Sequence, residues 1–227
     1  MKPEIKNRMD AAMPVLGYHP LEVEQGTFEW HRMRLGVMTA SKASAIVAAT
    51  TSATRRTYMA ELCAEIATGA PSEEISGKAI AWGREHESSA VSTWEMINGQ
   101  PLQRLSFIYG PSMRTGCSPD AMVSDTVGWE TKCPFITTHH ILTLADGVIK
   151  PEYKWQCQFS LWASDCDEWI FSSFDPRMKK NQLHSITVER SDKMQATLAD
   201  AVPQFISDMD KMLKSIGCQF GDQWRNE

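Results

Sequence analysis

At Asn98-Gly99 the chain changes its hydrophobic period, and that change limits the fold more than any other feature. Upstream the apolar residues recur at helical spacing. "RRTYMAELCAEIATGA" reads as a helix that stops at Gly69, where a left-handed cap costs little. A longer helix is expected from about Ser72 to Ile97. Downstream, "LSFIYG", "MRTGCS", "AMVSD" and "VGWETKC" alternate as short strands between Pro, Gly and Asp signals. "SDTVG" is a hairpin turn on this reading. A helix from Pro151 to Ala163 follows, then strands "EWIFSSF" and "LHSITVER". A closing helix runs from about Ser191 to Ile216, and Pro203 should kink or split it. Ahead of all this, "TASKASAIVAAT" reads as a short helix with Thr39 or Ser41 as N-cap. Residues 1–20 read as a loosely ordered lead-in. The order of elements predicts an α/β protein, with one mixed sheet flanked by helices, in a single domain over residues 1–227.

Composition narrows the class. The 227 residues are 42% hydrophobic and 22% charged, as in an ordinary soluble globular protein with a sizeable core. No apolar run is long enough to span a membrane, and the first twenty residues hold no signal-peptide core. An intracellular chain is therefore expected, and its six scattered cysteines, without a CxxC pair, read as reduced thiols. The net charge of −5 argues against a general nucleic-acid binder. The stretch from His31 to Ala60 is nevertheless basic, with Arg32, Arg34, Lys42, Arg55 and Arg56 and no acid. It is either chance clustering on a solvated face or a local phosphate-facing surface.

The alternating segment also carries the chemistry. Glu130 and Lys132 point to one face of their strand, and Asp120 begins the strand before it. If the two strands form a hairpin, the carboxylates of Asp120 and Glu130 approach each other. A hard divalent cation would relieve their repulsion, and Lys132 could orient a water against a phosphate. A bare ExK is more often a surface salt bridge, but the Ser118-Pro119-Asp120 turn favours the metal. Ile80, Gly83, Glu87, Ala90 or Val91, and Trp94 recur at helical spacing, so Glu87 falls on an apolar face and should have a cation partner. Lysine, arginine or a metal would serve, and the neighbouring carboxylates favour the metal. Gly83 would admit a close approach one turn away.

Gln156 and Gln158 lie in an aromatic-rich helix, with Tyr153 one turn from Gln156. A glutamine there either faces a site or is a satisfied polar group at a helix edge. The six histidines show no ligand spacing, which argues against zinc. Arg34, close to a capped helix start, forms a candidate anion site; the plainer reading is an ordinary N-cap beside a surface arginine.

The set "WHRMRLGVMTAS", "AWGREHE", "MRTGCSPD", "ETKCP", "YKWQCQFSLW", "FDPRMKK" and "FGDQWR" resembles the lambda-exonuclease family of YqaJ-type viral recombinases. These are PD-(D/E)xK nucleases with a restriction-endonuclease-like fold. The motifs occur in register over nearly the whole chain. The resemblance implies a processive 5′-to-3′ exonuclease acting on the ends of linear double-stranded DNA in a bacterial cytoplasm. It implies 3′ overhangs handed to a single-strand annealing protein, a ring-shaped homotrimer, and two Mg2+ ions per site, replaceable by Mn2+. Carried over by motif, Asp120 and Glu130 would hold metal, and Lys132 would orient the attacking water. Glu87 would act near the second metal or the water, with Gln156 in the same site. Arg34, Ser41 and Ser118 would form a pocket for the 5′-phosphate, and Ile80 an apolar wedge between the strands. The loop after "IVAA" departs from the pattern: "TTSAT" precedes Arg55 and Arg56, so no phosphate contact carries over there. An endonuclease of the same fold is the rival enzyme reading, and a non-catalytic DNA clamp the rival outside enzymes.

Overall fold

A computed structural model describes residues 2–72 and 77–225. In chain order the elements are α1 (Pro3–Leu16), α2 (Phe28–Met33), β1 (Met38–Thr39), α3 (Ala43–Ile46), α4 (Ala53–Thr68) and α5 (Lys78–Asn98). The strands β2 (Ile108–Tyr109), β3 (Thr115–Cys117), β4 (Ala121–Met122) and β5 (Val127–Lys132) follow. Then come α6 (Thr137–Asp146), α7 (Pro151–Ser164), β6 (Glu168–Phe174), β7 (Leu183–Glu189) and α8 (Asp192–Ser215).

The α/β class and the mixed strand directions are those expected. Hydrogen bonding divides the strands into two ladders, β1-β3-β2 and β4-β5-β6-β7. β1 runs parallel to β3 and β5 parallel to β6; the other pairs are antiparallel. The chain passes from one ladder to the other through Ser118-Pro119-Asp120, so the turn carrying the candidate aspartate joins the two sheets. The β4–β5 hairpin forms as expected, with Ala121 opposite Trp129.

Alternation along β5 sends side chains into two different layers. Trp129 is fully buried and packs with Ala90, Val91 and Trp94 of α5. Glu130 faces α7, where it meets Gln156. α7 is buried along Cys157, Phe159, Leu161 and Ala163, in a core that extends from Ile5 to Trp224. Gly128 has a packing reason to be glycine. A Cβ there would come within 2.2 Å of the Trp169 ring on the paired strand, inside any tolerable contact.

Four readings need correction. Residues 3–16 form a helix, with Ile5, Met9, Ala12 and Leu16 buried along one face. Arg8 fastens that helix by donating to the carbonyls of Tyr109 and Ala163. The short helix near Thr39 is instead a two-residue strand, a 3-10 turn (Ala40–Lys42) and the four-residue α3. The helix α6 was not foreseen; it lies between the Cys133-Pro134 step and Gly147, its left-handed cap. Pro203 does not split α8, which runs unbroken from Asp192 to Ser215. It sits on the exposed side, where water can reach the carbonyl its ring leaves unpaired, while Leu198, Val202, Phe205, Met209 and Leu213 hold the opposite face. α5 begins at Lys78; residues 73–76 of the expected helix lie outside those described.

Candidate active site

Asp120 is placed by backbone geometry. Its Oδ2 accepts a hydrogen bond from the Thr131 amide at 2.7 Å, across the hairpin. Two further bonds hold the turn: Gln25 Nε2 donates to the Pro119 carbonyl at 2.9 Å, and Arg104 Nη1 to the Asp120 carbonyl at 3.0 Å. Burial, then the charges of Glu130 and Glu87, raise the Asp120 carboxyl well above the usual aspartate range, against the opposing pull of Lys132.

Glu130 is 2% exposed. Its Oε1 accepts from Lys132 Nζ at 2.5 Å and from Gln156 Nε2 at 2.6 Å. Its Oε2 is buried and finds no hydrogen-bond partner among the described residues. A buried carboxylate oxygen without a donor is costly, so this atom points to an absent cation or water. Burial alone would lower the Lys132 ammonium, but Glu130 and Asp120 outweigh it and hold it above the ordinary lysine value. Lys132 is thus a fixed cation, suited to orienting a water or countering phosphate charge rather than taking up a proton.

Asp120 and Lys132 open onto a cleft of about 530 Å³, lined also by Ile80, Glu87, Lys150 and Tyr153 among others. Ile80, 39% exposed, stands in the same cleft as the carboxylates. Glu87 also lines it, on the helical stripe that buries Ala90, Val91 and Trp94 deeper in α5. Its side chain is 35% exposed, and its protein cation is Arg104, at 2.9 Å. This settles which of the alternatives supplies a partner within the chain. Gly83 meets nothing within 4 Å of a Cβ position, so it leaves room in the cleft rather than admitting another backbone.

Among the described residues no three His, Cys, Asp or Glu side chains group closely enough to hold a metal by themselves. The donor set is two neighbouring carboxylates, one with an unpartnered oxygen. That fits a hard ion such as magnesium, which keeps several waters and binds through one or two carboxylates plus substrate phosphate.

Gln156 and Gln158 separate cleanly. Gln156 holds Glu130, whereas Gln158 is spent on structure, bonding Glu189, Ser191 and Gln195. Tyr153 stacks on Phe171, with Lys132 Nζ 5.4 Å and Lys150 Nζ 5.8 Å from its ring. His140 is buried in bonds to Ser173 and the Asn181 carbonyl, away from any ligand role.

A second cleft, also of about 530 Å³, is lined by Arg34, Thr39, Ser41, Lys42 and Tyr58 among others. The Arg34 guanidinium lies 3.7 Å from the Trp30 ring centre. Burial lowers its pKa to about 10, and its buried Nε has no partner among the described residues. Ser118 lines neither of these two clefts, though its buried Oγ is likewise unpartnered. Thr39 pairs with Gly116 across β1 and β3, so Ser41 and Ser118 stand at the same offset beyond the paired residues.

The acid-free stretch is not one phosphate-facing surface. Arg32 donates to the Leu16 and Trp224 carbonyls, and Lys42 pairs with Glu61. Arg55 is buried, paired with Asp208 and stacked over Phe205. Of these, Arg34 turns its charge to a cleft that Glu65 also lines, with Glu65 acting on it through charge, and Arg56 is exposed. Arg104, Gln25 and Lys150 were missed in the sequence. Their positions depend on pairings across the chain, which no local period reveals.

The chain matches the YqaJ-like viral recombinase domain over residues 29–167. It resembles the crystal structure of an alkaline exonuclease (LHK-Exo) from Laribacter hongkongensis, at 32% identity and a TM-score of 0.77, covering 84% of this chain and 96% of that one. A structure of LHK-Exo in complex with dAMP aligns equally, at 33% identity. A phage related exonuclease from Haemophilus somnus 129PT shares the fold at 15% identity, with a TM-score of 0.62 over 79% of this chain and 96% of that one. An uncharacterised protein, ExoD, of Escherichia coli (strain K12) is 46% identical over 77 residues, 34% of this chain and 88% of its own.

Proposed function

The chain belongs to the YqaJ-like viral recombinase family, and on that premise we propose that it is a magnesium-dependent exonuclease that processively digests the 5′-ended strand of linear duplex DNA. The observation that carries the reading is the unpartnered Oε2 of Glu130, buried beside Asp120 and below a cleft that also holds Lys132 and Ile80. The likeness to an alkaline exonuclease at about one-third identity supports nuclease chemistry. The dAMP complex of that relative supports a cleft that accepts a nucleotide.

In this reading Asp120 and Glu130 would hold magnesium, which when bound polarises the scissile phosphate and makes a coordinated water more acidic. Gln156 and Lys132 fix Glu130 from two sides, so its remaining oxygen has one direction to offer. Lys132, held as a cation, orients the attacking water and offsets charge on the phosphate as the bond to the leaving oxygen breaks. Glu87 lies on the facing helix, where it can accept a hydrogen bond from that water. Ile80 presents an apolar edge to the bases, which favours a separated strand entering the cleft. Arg34, Ser41 and Ser118 would receive the terminal 5′-phosphate in the second region, since a buried guanidinium with an unpartnered Nε is a ready donor to a phosphate.

A ring of three copies would reconcile a net charge of −5 with DNA binding, because only the inner wall and the phosphate pocket need be positive. The 3′ overhangs left behind would be the substrate of a single-strand annealing protein. The test is digestion of linear and closed circular duplex, with and without 5′-phosphate, in magnesium and in EDTA. Degradation of linear DNA alone, abolished by EDTA, is expected. Nicking of closed circles at a comparable rate would favour an endonuclease, and binding without turnover a clamp.

A further inference from the structure

We propose that Arg104 is a positioning residue for the hydrolysis assigned above, setting the helical carboxylate Glu87 against the strand carboxylate Asp120. The inference rests on that nuclease reading for its catalytic consequence, but its structural content stands on the following geometry.

A single guanidinium nitrogen makes both bonds. Arg104 Nη1 donates to Glu87 Oε1 at 2.9 Å and to the Asp120 carbonyl at 3.0 Å. The carbonyl belongs to the residue whose carboxylate faces the cleft, so one atom links the two acidic residues that arrive from different elements.

The two sides it joins are not equally secure. Arg104 springs from a segment pinned on every side. Gln103 and Met122 exchange both backbone bonds, at 2.8 and 2.7 Å. The Leu102 amide donates to Glu95, Gln25 bonds the Leu105 carbonyl at 2.7 Å, and Trp30 bonds the Ser106 carbonyl at 3.1 Å. The first half of α5 is the opposite case. From Lys78 to Glu87 no side chain is fully buried, and the helix sinks into the core only at Ala90, Val91 and Trp94. Trp82 touches Phe135 and lies under the Arg177 guanidinium, both at the molecular surface. A helix end with only partly buried side chains, here Trp82 and His86, is freer to fray or pivot than one set in the core. Ile80 and Glu87, the two cleft residues on that half, therefore depend on side-chain ties for their position. Glu87 also borders a third cavity of about 510 Å³ on the side of Glu22, Glu24 and Arg104, so the ion pair stands between two open spaces. Arg104 reaches from the fixed wall to hold the less secure one.

An ion pair of this exposure contributes little to global stability. Its value is geometric, because a displacement of about 1 Å at a reacting group can lower a rate by about 100-fold.

The experiment combines kinetics with hydrogen exchange on Arg104→Ala and Arg104→Lys. For Arg104→Ala we expect kcat on linear duplex to fall about 10- to 100-fold with KM within about twofold and an unchanged melting temperature. Lysine should restore part of the loss. Amides from Ala79 to Glu87 should exchange faster in the alanine variant, while those from Ala90 to Trp94 keep their protection. A rise in KM at constant kcat would make Arg104 a DNA-phosphate contact and overturn the proposal. A parallel fall in melting temperature would make it structural, and unchanged exchange in the first half of α5 would also overturn it. If the wild-type chain fails to cleave linear DNA, the nuclease reading fails, and the exchange data still decide whether Arg104 anchors Glu87.

Discussion

Gln156 Nε2 donates to Glu130 Oε1 at 2.6 Å, from the middle of α7 to the middle of β5, and both groups are buried. With Lys132 on the same oxygen, Oε2 of Glu130 is left without a donor among the described residues. Gln156→Leu removes the donor while keeping a similar volume. It should weaken metal affinity and lower activity by about 10- to 100-fold, as loss of a supporting hydrogen bond to a ligand does. Magnesium titrations of the single-turnover rate, and manganese binding without DNA, check it; unchanged metal dependence would contradict the assignment.

Lys132→Ala should remove about 100- to 1000-fold of the rate, the scale for losing one charge aimed at the reacting group. The melt should remain cooperative, since Lys132 lies at the cleft edge with 28% of its side chain exposed. Substantial residual cleavage by a folded variant would sink its role.

Arg34→Ala should act selectively on ends. Rates on 5′-phosphorylated linear duplex should fall well below wild type, while hydroxyl-ended DNA, which lacks the partner for the guanidinium, should change little. Parallel digestions of the two substrates measure this, and equal losses would remove Arg34 from the phosphate pocket.

Asp175 offers a pH test of stability. Burial would raise its carboxyl, but hydrogen bonds from Arg177, through its amide and its guanidinium, outweigh burial and bring the pKa down to about 2. A carboxylate whose folded pKa lies below its unfolded value adds stability that is fully present above about pH 4 and is lost as pH falls through about 2. The shift corresponds to about 2 kcal/mol. Denaturant melts from pH 5 to 2 should show a shallower acid limb for Asp175→Asn than for wild type. Identical slopes would show that the pair carries no such linkage.

Much of the site was legible because its local parts are periodic. Asp120, Glu130 and Lys132 were picked from a turn signal and a two-residue alternation, and the hairpin that this reading needs pairs Ala121 with Trp129. Strand β6 was read to its ends because "EWIFSSF" is a continuous strand-forming run before Asp175-Pro176. The first helix was misread: its apolar stripe is thin, with Pro14 inside it, and its stability comes from packing against a core built mostly of later residues. The basic stretch was misleading for a related reason. Arg32 and Arg55 look alike in sequence, and only their distant partners Trp224 and Asp208 show that they are bound inside the fold.

The sequence by itself determined the class of elements, the strand that presents Glu130 and Lys132, and the family to which the motifs belong. Those are properties of neighbours along the chain, set by backbone period and turn chemistry. Only the tertiary structure decided which partner each charge takes. Glu87 meets Arg104 across 17 positions, and Glu130 meets Gln156 across 26. Such pairings depend on how helices cross the sheets, because a buried or half-buried charge takes the donor that packing brings within about 3 Å of it.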